Sequence, residues 1–264
     1  MLMILETGVL GVFVATDFII FYVAWELVLV PMFFLIGIWG GDKREYAAIY
    51  FFIYTHVASL FMLLGIVGLW LESAAITGKG TFSFYELSKI TFTVTPLIMI
   101  VFLFLLFGFI VKVPSVPFHT WLPLAHVQAP TPGSMILAGL LLKMGGYGLL
   151  RIGGWILPEA LSEFAWLVAI IGLISLLYGS WVALRQVDVK SLVAYSSVGH
   201  MGIVLLGVAT QSDVGFGAAM FMQVAHGIIS PLLFFLAGTI GPVSYTHLRA
   251  HETSLHLVCR LLLE

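Results

Sequence analysis

Charge and cysteine are what this sequence has least of. Only 9% of its 264 residues are Asp, Glu, Lys or Arg, and its one cysteine is Cys259. Soluble globular domains are about a quarter charged, so a chain that is 61% hydrophobic with a mean hydropathy of +1.12 is excluded from that class. It reads as all-α, a polytopic transmembrane helix bundle. A net charge of −2 and the lack of any basic run leave nothing to track a phosphate backbone, which argues against nucleic acid as a partner. One cysteine can form no disulfide within the chain and hold no iron–sulfur cluster. No glycine-rich phosphate loop follows a strand, and no flavin or nicotinamide fingerprint is present. No cofactor or redox centre is therefore expected in this chain. Residues 1–6 lack the basic stretch of a cleavable leader, and Glu6 interrupts the apolar run early.

At about 20 apolar residues per crossing, the pattern predicts a partial helix at 3–15. Full spans follow at 18–39, 46–71, 96–113, 131–151, 164–184, 190–209 and 214–240. The longest connection, 72–93, is polar enough to lie outside the bilayer. Alternation of sides groups Lys43, Arg44, Arg185 and Lys190 against Lys79, Lys89 and Arg151, which favours the first face as cytoplasmic. Glycines inside the spans, such as Gly145, Gly146, Gly199 and Gly202, read as close helix packing.

Two lysines break this apolar background. Lys112 ends the run PLIMIVFLFLLFGFIV, and Lys143 lies within SMILAGLLLKMGGYGLL. Pro114, Pro117, Pro123, Pro130 and Pro132 fall between them, so the span carrying Lys112 is expected to break just after it. Irregular backbone at membrane depth survives only where protein or water surrounds it. The stretch predicts a polar cavity faced by two amines. A lysine at the middle of a membrane helix costs about 2.5–3.5 kcal/mol on insertion scales, so it is a functional candidate by default.

Glu26 is the third buried charge. It lies nine residues past Asp17, roughly 13 Å into the membrane at helical rise. Carboxylates and amines at such depth pair with one another or line an ion path. Burial favours the neutral form of either group and an opposite charge favours the ionised form, so changing their separation switches protonation. The competing reading is a static ion pair that holds helices together. His200 and His226 each lie near the middle of a span, where imidazole can accept and donate on opposite nitrogens and so pass protons, or serve as an interhelical hydrogen bond. His56 is a weaker candidate of the same kind. His119 and His126 flank Pro123 in the break at a spacing unsuited to a helical metal pair, with no acidic or cysteine ligand nearby. They are expected to line the cavity or to position Lys112, and Lys190 is a further secondary candidate.

The last residues depart from the pattern. VSYTHLRAHETSLHLVCRLLLE carries three of the eight histidines, two of the eleven basic residues and the cysteine. A permissible back-translation of VSYTHLRAHET resembles a sequencing adapter, so residues 242–264 are expected to be a non-native tail.

VKVPSVPFHTWLPLAHVQAPTPGSMILAGLLLKMGGYGLLR resembles the signature stretch of the antiporter-like subunits of respiratory complex I, the proton-pumping NADH:quinone oxidoreductase. ATDFIIFYVAWE, QVDVKSLVAYSSVGHMGIVLLG and QVAHGIISPLLFFLAGTI are similar to the same family, and among its members to the M or chain 4 type. The resemblance implies inverted repeats, each with a broken helix. It places most of the first repeat at 16–154 and the start of the second at 155–241, with the fold incomplete at both ends. It also implies that Glu26, Lys112, Lys143, His200 and His226 lie on a proton path driven by redox chemistry in other subunits. Leu124 stands where many relatives carry an acid, which puts that acid's role in doubt. The expected setting is multi-pass in a bacterial inner membrane, with other membrane-arm subunits, lipid and protons as partners. The alternatives are a subunit of a multi-subunit sodium/proton antiporter or membrane-bound hydrogenase, and a purely structural scaffold.

Overall fold

A computed structural model describes the backbone of residues 1–261 and the side chains through Thr239. The reading of 242–264 as a non-native tail lies outside the described side chains. The chain enters on α1 (Leu2–Val14) and turns at Asp17 into α2 (Phe18–Trp39). The Asp17 carboxylate caps α2 by accepting from the Ile19 amide at 2.7 Å. α3 (Arg44–Thr77) follows, and Gly78 stops it in the left-handed conformation at φ 76, where a side chain would be strained. The expected span 46–71 is therefore extended, because 72–77 continue the helix before the polar connection begins.

That connection folds back onto the bundle. Phe18 donates its amide to the Phe82 carbonyl at 3.0 Å and Phe84 donates to Thr16 at 2.9 Å, around an isolated Asp17–Ser83 bridge. A short α4 (Phe84–Leu87) leads on to α5 (Pro96–Lys112), which Thr95 caps through Ile98 N at 3.2 Å with Pro96 at its first position. α5 ends at Lys112, as the prolines predict. The last carbonyls of a helix have no intrahelical partner, and here tertiary contacts supply them. Ser115 Oγ donates to Ile110 at 2.9 Å, and Trp121 Nε1 donates to Val111 at 3.0 Å. The Val116 amide finds Ser175 Oγ at 2.8 Å, and the Val116–Pro117 bond is cis.

Beyond the break, α6 (Trp121–Gln128) is followed by one continuous helix, α7 (Thr131–Ile156), which contains π-helical turns at Leu137–Leu141 and Leu149–Ile156. A short α8 (Pro158–Glu163), α9 (Ala165–Ala183), α10 (Val189–Ala209) and α11 (Asp213–Leu261) complete the described chain. Among the described residues six helices are long and apolar enough to cross a membrane, while α1 and α5 are shorter. Seven full spans were expected. The difference is α5, which the proline break holds to 17 residues.

Small residues set the helix spacing, as expected in a bilayer. A Cβ on Gly202 of α10 would lie 2.6 Å from the Gly172 carbonyl of α9, and one on Gly145 of α7 would lie 2.7 Å from the Phe109 carbonyl of α5. The second contact brings the helix bearing Lys143 against the helix bearing Lys112.

Candidate functional site

Glu26 projects from α2 toward α3, where its Oε2 lies 2.9 Å from His56 Nδ1. It is the one contact within salt-bridge distance among the described residues, and the carboxylate meets an imidazole rather than either buried amine. The pair is partly accessible, with side-chain exposures of 23% for Glu26 and 38% for His56. The Phe52 ring stacks on His56 at 5.4 Å and holds its plane. The second oxygen of Glu26 is buried without a hydrogen-bond partner.

Lys112, the last residue of α5, is 2% exposed. Its Nζ makes no hydrogen bond and sits 5.2 Å from the ring of Trp25, the residue preceding Glu26. A cation over an indole face is attracted by the ring quadrupole, but it remains an amine without an acceptor.

Lys143 is placed differently. Its Nζ lies 2.5 Å from His226 Nδ1 and 2.5 Å from the Ala138 carbonyl one turn back in its own helix. The π-helical turn at Leu137–Leu141 disturbs the i→i−4 ladder there, which puts a backbone acceptor within reach of the side chain. His226 Nε2 in turn lies 3.1 Å from Ser197 Oγ. Ser197 donates to the Val193 carbonyl at 3.0 Å, so it accepts from His226, and the pattern assigns the proton of neutral His226 to Nε2 and the lone pair facing Lys143 to Nδ1. Ser230 Oγ lies 3.4 Å from Ser197 Oγ, and the His200 ring is 5.4 Å from that of His226. The result is a continuous chain, Lys143–His226–Ser197–Ser230, joining α7, α10 and α11 in the bundle interior.

Cavities flank this chain on two sides. One of about 350 Å³, open at the outer face of the bundle where Leu140, Met220 and Val224 are exposed, is bordered by Lys143, Tyr147 and Gln223 among apolar side chains from α1, α7 and α11. Another of about 220 Å³ is bordered by Ser196, His200, His226 and Ser230. The sequence predicts one polar cavity shared by two amines. In the structure Lys143 borders the larger cavity and Lys112 is packed away beneath Trp25.

No hydrogen bond joins the secondary candidates to one another among the described residues. His119 packs edge-on to Tyr178 at 5.2 Å and to Tyr195 at 6.0 Å, with Nδ1 unpartnered. His126 stacks flat on Phe234 at 4.2 Å, and neither ring nitrogen has a partner. Lys190 donates to the Ala129 carbonyl at 3.1 Å, which ties the start of α10 to the end of α6. Among the described residues no three His, Cys, Asp or Glu side chains converge as metal ligands would.

Sequence reasoning passed over Ser197 and Ser230. Their signal was present: Ser197 precedes His200 by three and Ser230 follows His226 by four, the spacings that share a helix face. His56, ranked below the other histidines, proves to be the partner of Glu26.

A family profile described as NADH:quinone oxidoreductase/Mrp antiporter, TM, matches residues 15–261. The chain is 46% identical over 252 residues to F(420)H(2) dehydrogenase subunit M of Methanosarcina mazei, covering 94% of this chain and 50% of that one. It is 44% identical over 258 residues to NAD(P)H-quinone oxidoreductase chain 4 2 of Microcystis aeruginosa, covering 97% and 44%. The fold is similar to a chain of respiratory complex I from Thermus thermophilus, with a TM-score of 0.82 and 32% identity over 89% of this chain and 50% of that one. The chain spans about half the length of the curated relatives it matches.

Proposed function

From the premise that the chain belongs to the NADH:quinone oxidoreductase/Mrp antiporter membrane family, we propose that it moves protons in the membrane arm of an NADH:quinone oxidoreductase. The residues proposed for that task are Glu26, Lys112, Lys143, His200 and His226, and the driving redox chemistry belongs to other subunits. The observation that carries the reading is the 2.5 Å contact of Lys143 with His226, continued to Ser197. An ammonium at Lys143 can hand its proton to His226 Nδ1 while Nε2 gives its own to Ser197, whose hydroxyl turns from the Val193 carbonyl toward Ser230 to pass one on, so one imidazole both receives and releases. The Glu26–His56 pair and the unpartnered Lys112 form a separate group around Trp25. Because α5 packs on α7 through Gly145, a shift of the broken helix moves Lys112 and the Lys143 helix together.

Two readings compete within the same architecture. A sodium/proton antiporter or membrane-bound hydrogenase arm would use the same buried charges, and the genes flanking this one distinguish them from a quinone reductase. A scaffold subunit would keep the charges as fixed pairs. The test is Lys112→Ala in the full-length subunit within its complex, read by native gel for assembly and by acidification of membrane vesicles for proton transfer. Retained assembly with collapsed proton transfer is the expected result. Failed assembly alone would remove the support for a relay.

A further inference from the structure

Lys143, Tyr147 and Arg151 are spaced four residues apart on α7, which puts them along one stripe of the helix. Lys143 and Tyr147 both border the 350 Å³ cavity. Arg151 does not border it; it lies behind Tyr147. The Tyr147 hydroxyl donates to the Phe13 carbonyl at 2.9 Å and accepts from Arg151 Nη1. The guanidinium is held 5.0 Å from the Phe84 ring and 5.5 Å from the Tyr147 ring. Phe84 adjoins the Asp17–Ser83 bridge at the corner between α1 and α2, so Arg151 stands at that face of the bundle, about 12 Å along the helix from Lys143. No carboxylate neutralises it among the described residues.

The chemistry of this wall opposes proton movement. The phenol's two hydrogen bonds end on a carbonyl and a guanidinium, neither of which can pass a proton onward, so the pair does not continue a relay from that side. A guanidinium is not deprotonated in proteins, and it therefore cannot relay. Its fixed charge repels an approaching hydronium most strongly where the dielectric is low, as an arginine does in pores that admit water and exclude protons. We infer that the Arg151–Tyr147 pair is an electrostatic barrier that closes the Lys143 cavity against the membrane face carrying residues 78–94. Lys143 then exchanges protons toward His226 and does not short-circuit across that wall. This rests on the proton-carrier reading of Lys143 given under the proposed function.

The test uses vesicles containing the assembled complex with the full-length subunit and no electron donor. A pH step is imposed, and its decay is followed with an internal fluorescent dye. Arg151→Met is expected to raise passive proton flux several-fold, and Arg151→Lys, which keeps the charge, is expected not to. Adding Lys143→Ala to Arg151→Met should remove the extra flux. Unchanged flux in assembled Arg151→Met vesicles overturns the barrier, as does extra flux that survives the loss of Lys143. If Arg151→Met does not assemble, Arg151→Gln, which removes the charge and keeps a donor for the Tyr147 hydroxyl, takes its place in the same vesicles. Raised flux that disappears with Lys143→Ala then supports the barrier, and unchanged flux overturns it. Lys143→Ala alone, driven by the electron donor, tests the underlying reading separately. Normal pumping there defeats the carrier role, whereas impaired pumping with an unchanged Arg151→Met leak defeats only the barrier.

Discussion

Lys143 and His226, 83 residues apart in sequence, meet at 2.5 Å in the interior of the bundle, the amine facing Nδ1 and the far nitrogen facing Ser197. General acid–base groups contribute on the order of 10²–10⁴ in rate, so His226→Ala is expected to slow proton transfer by about 10² or more. Oxidoreductase assembly should be kept. Vesicle acidification measured beside a native gel checks it, and pumping at the normal rate would remove His226 from the path.

Glu26→Gln keeps a hydrogen-bonding side chain opposite His56 and removes only the charge. Proton transfer is expected to fall by about tenfold, equivalent to about 1.4 kcal/mol on the barrier, with the complex intact. The same vesicle assay reads it; a decline in complex abundance proportional to the decline in pumping would instead make the pair a static tie.

Trp121→Phe deletes the indole donor that serves the Val111 carbonyl at 3.0 Å, immediately before Lys112. An orphaned buried acceptor costs about 1–3 kcal/mol. The variant should lower the thermal midpoint of the detergent-solubilised complex and also impair proton transfer, because the same bond sets where α5 stops. An unchanged midpoint would mean that another donor replaces the indole.

Gly202→Leu places side-chain atoms where the Gly172 carbonyl already lies 2.6 Å from an ideal Cβ. Overpacking of this kind costs about 1–3 kcal/mol, and here it pushes α9 from α10 and disturbs the Ser197 end of the hydrogen-bonded chain. Lower expression of assembled complex, measured by immunoblot, is expected. Gly217→Ala, at a site with open space around its Cβ, serves as the neutral control.

The helices and the break were legible because their causes are local. Apolar runs of membrane length and a cluster of prolines after Lys112 act on the backbone within a turn or two of themselves. The extra turns of α3 were not legible, because Glu72 and Ser73 interrupt the apolar run well before Gly78, which marks the stop. The end of α5 was legible, because the prolines after Lys112 act on the backbone next to them: the broken span expected at 96–113 stops at Lys112.

The sequence by itself determined an all-helical membrane bundle, the presence of a broken helix, and which side chains are too costly to bury without a purpose. Cost is a property of the residue and of the apolar run around it, so no partner need be known to read it. Partnership was decided only by the tertiary structure. Glu26 went to His56 rather than to a lysine, Lys112 went under Trp25, and Lys143 found His226 across 83 residues. Each of these depends on how α2, α5, α7 and α11 rotate against their neighbours. That rotation is fixed by glycine contacts such as Gly145 on Phe109 and by carbonyls that a π-helical turn or a proline leaves open. A charge announces itself locally, whereas its counterpart is chosen by packing that no local pattern encodes.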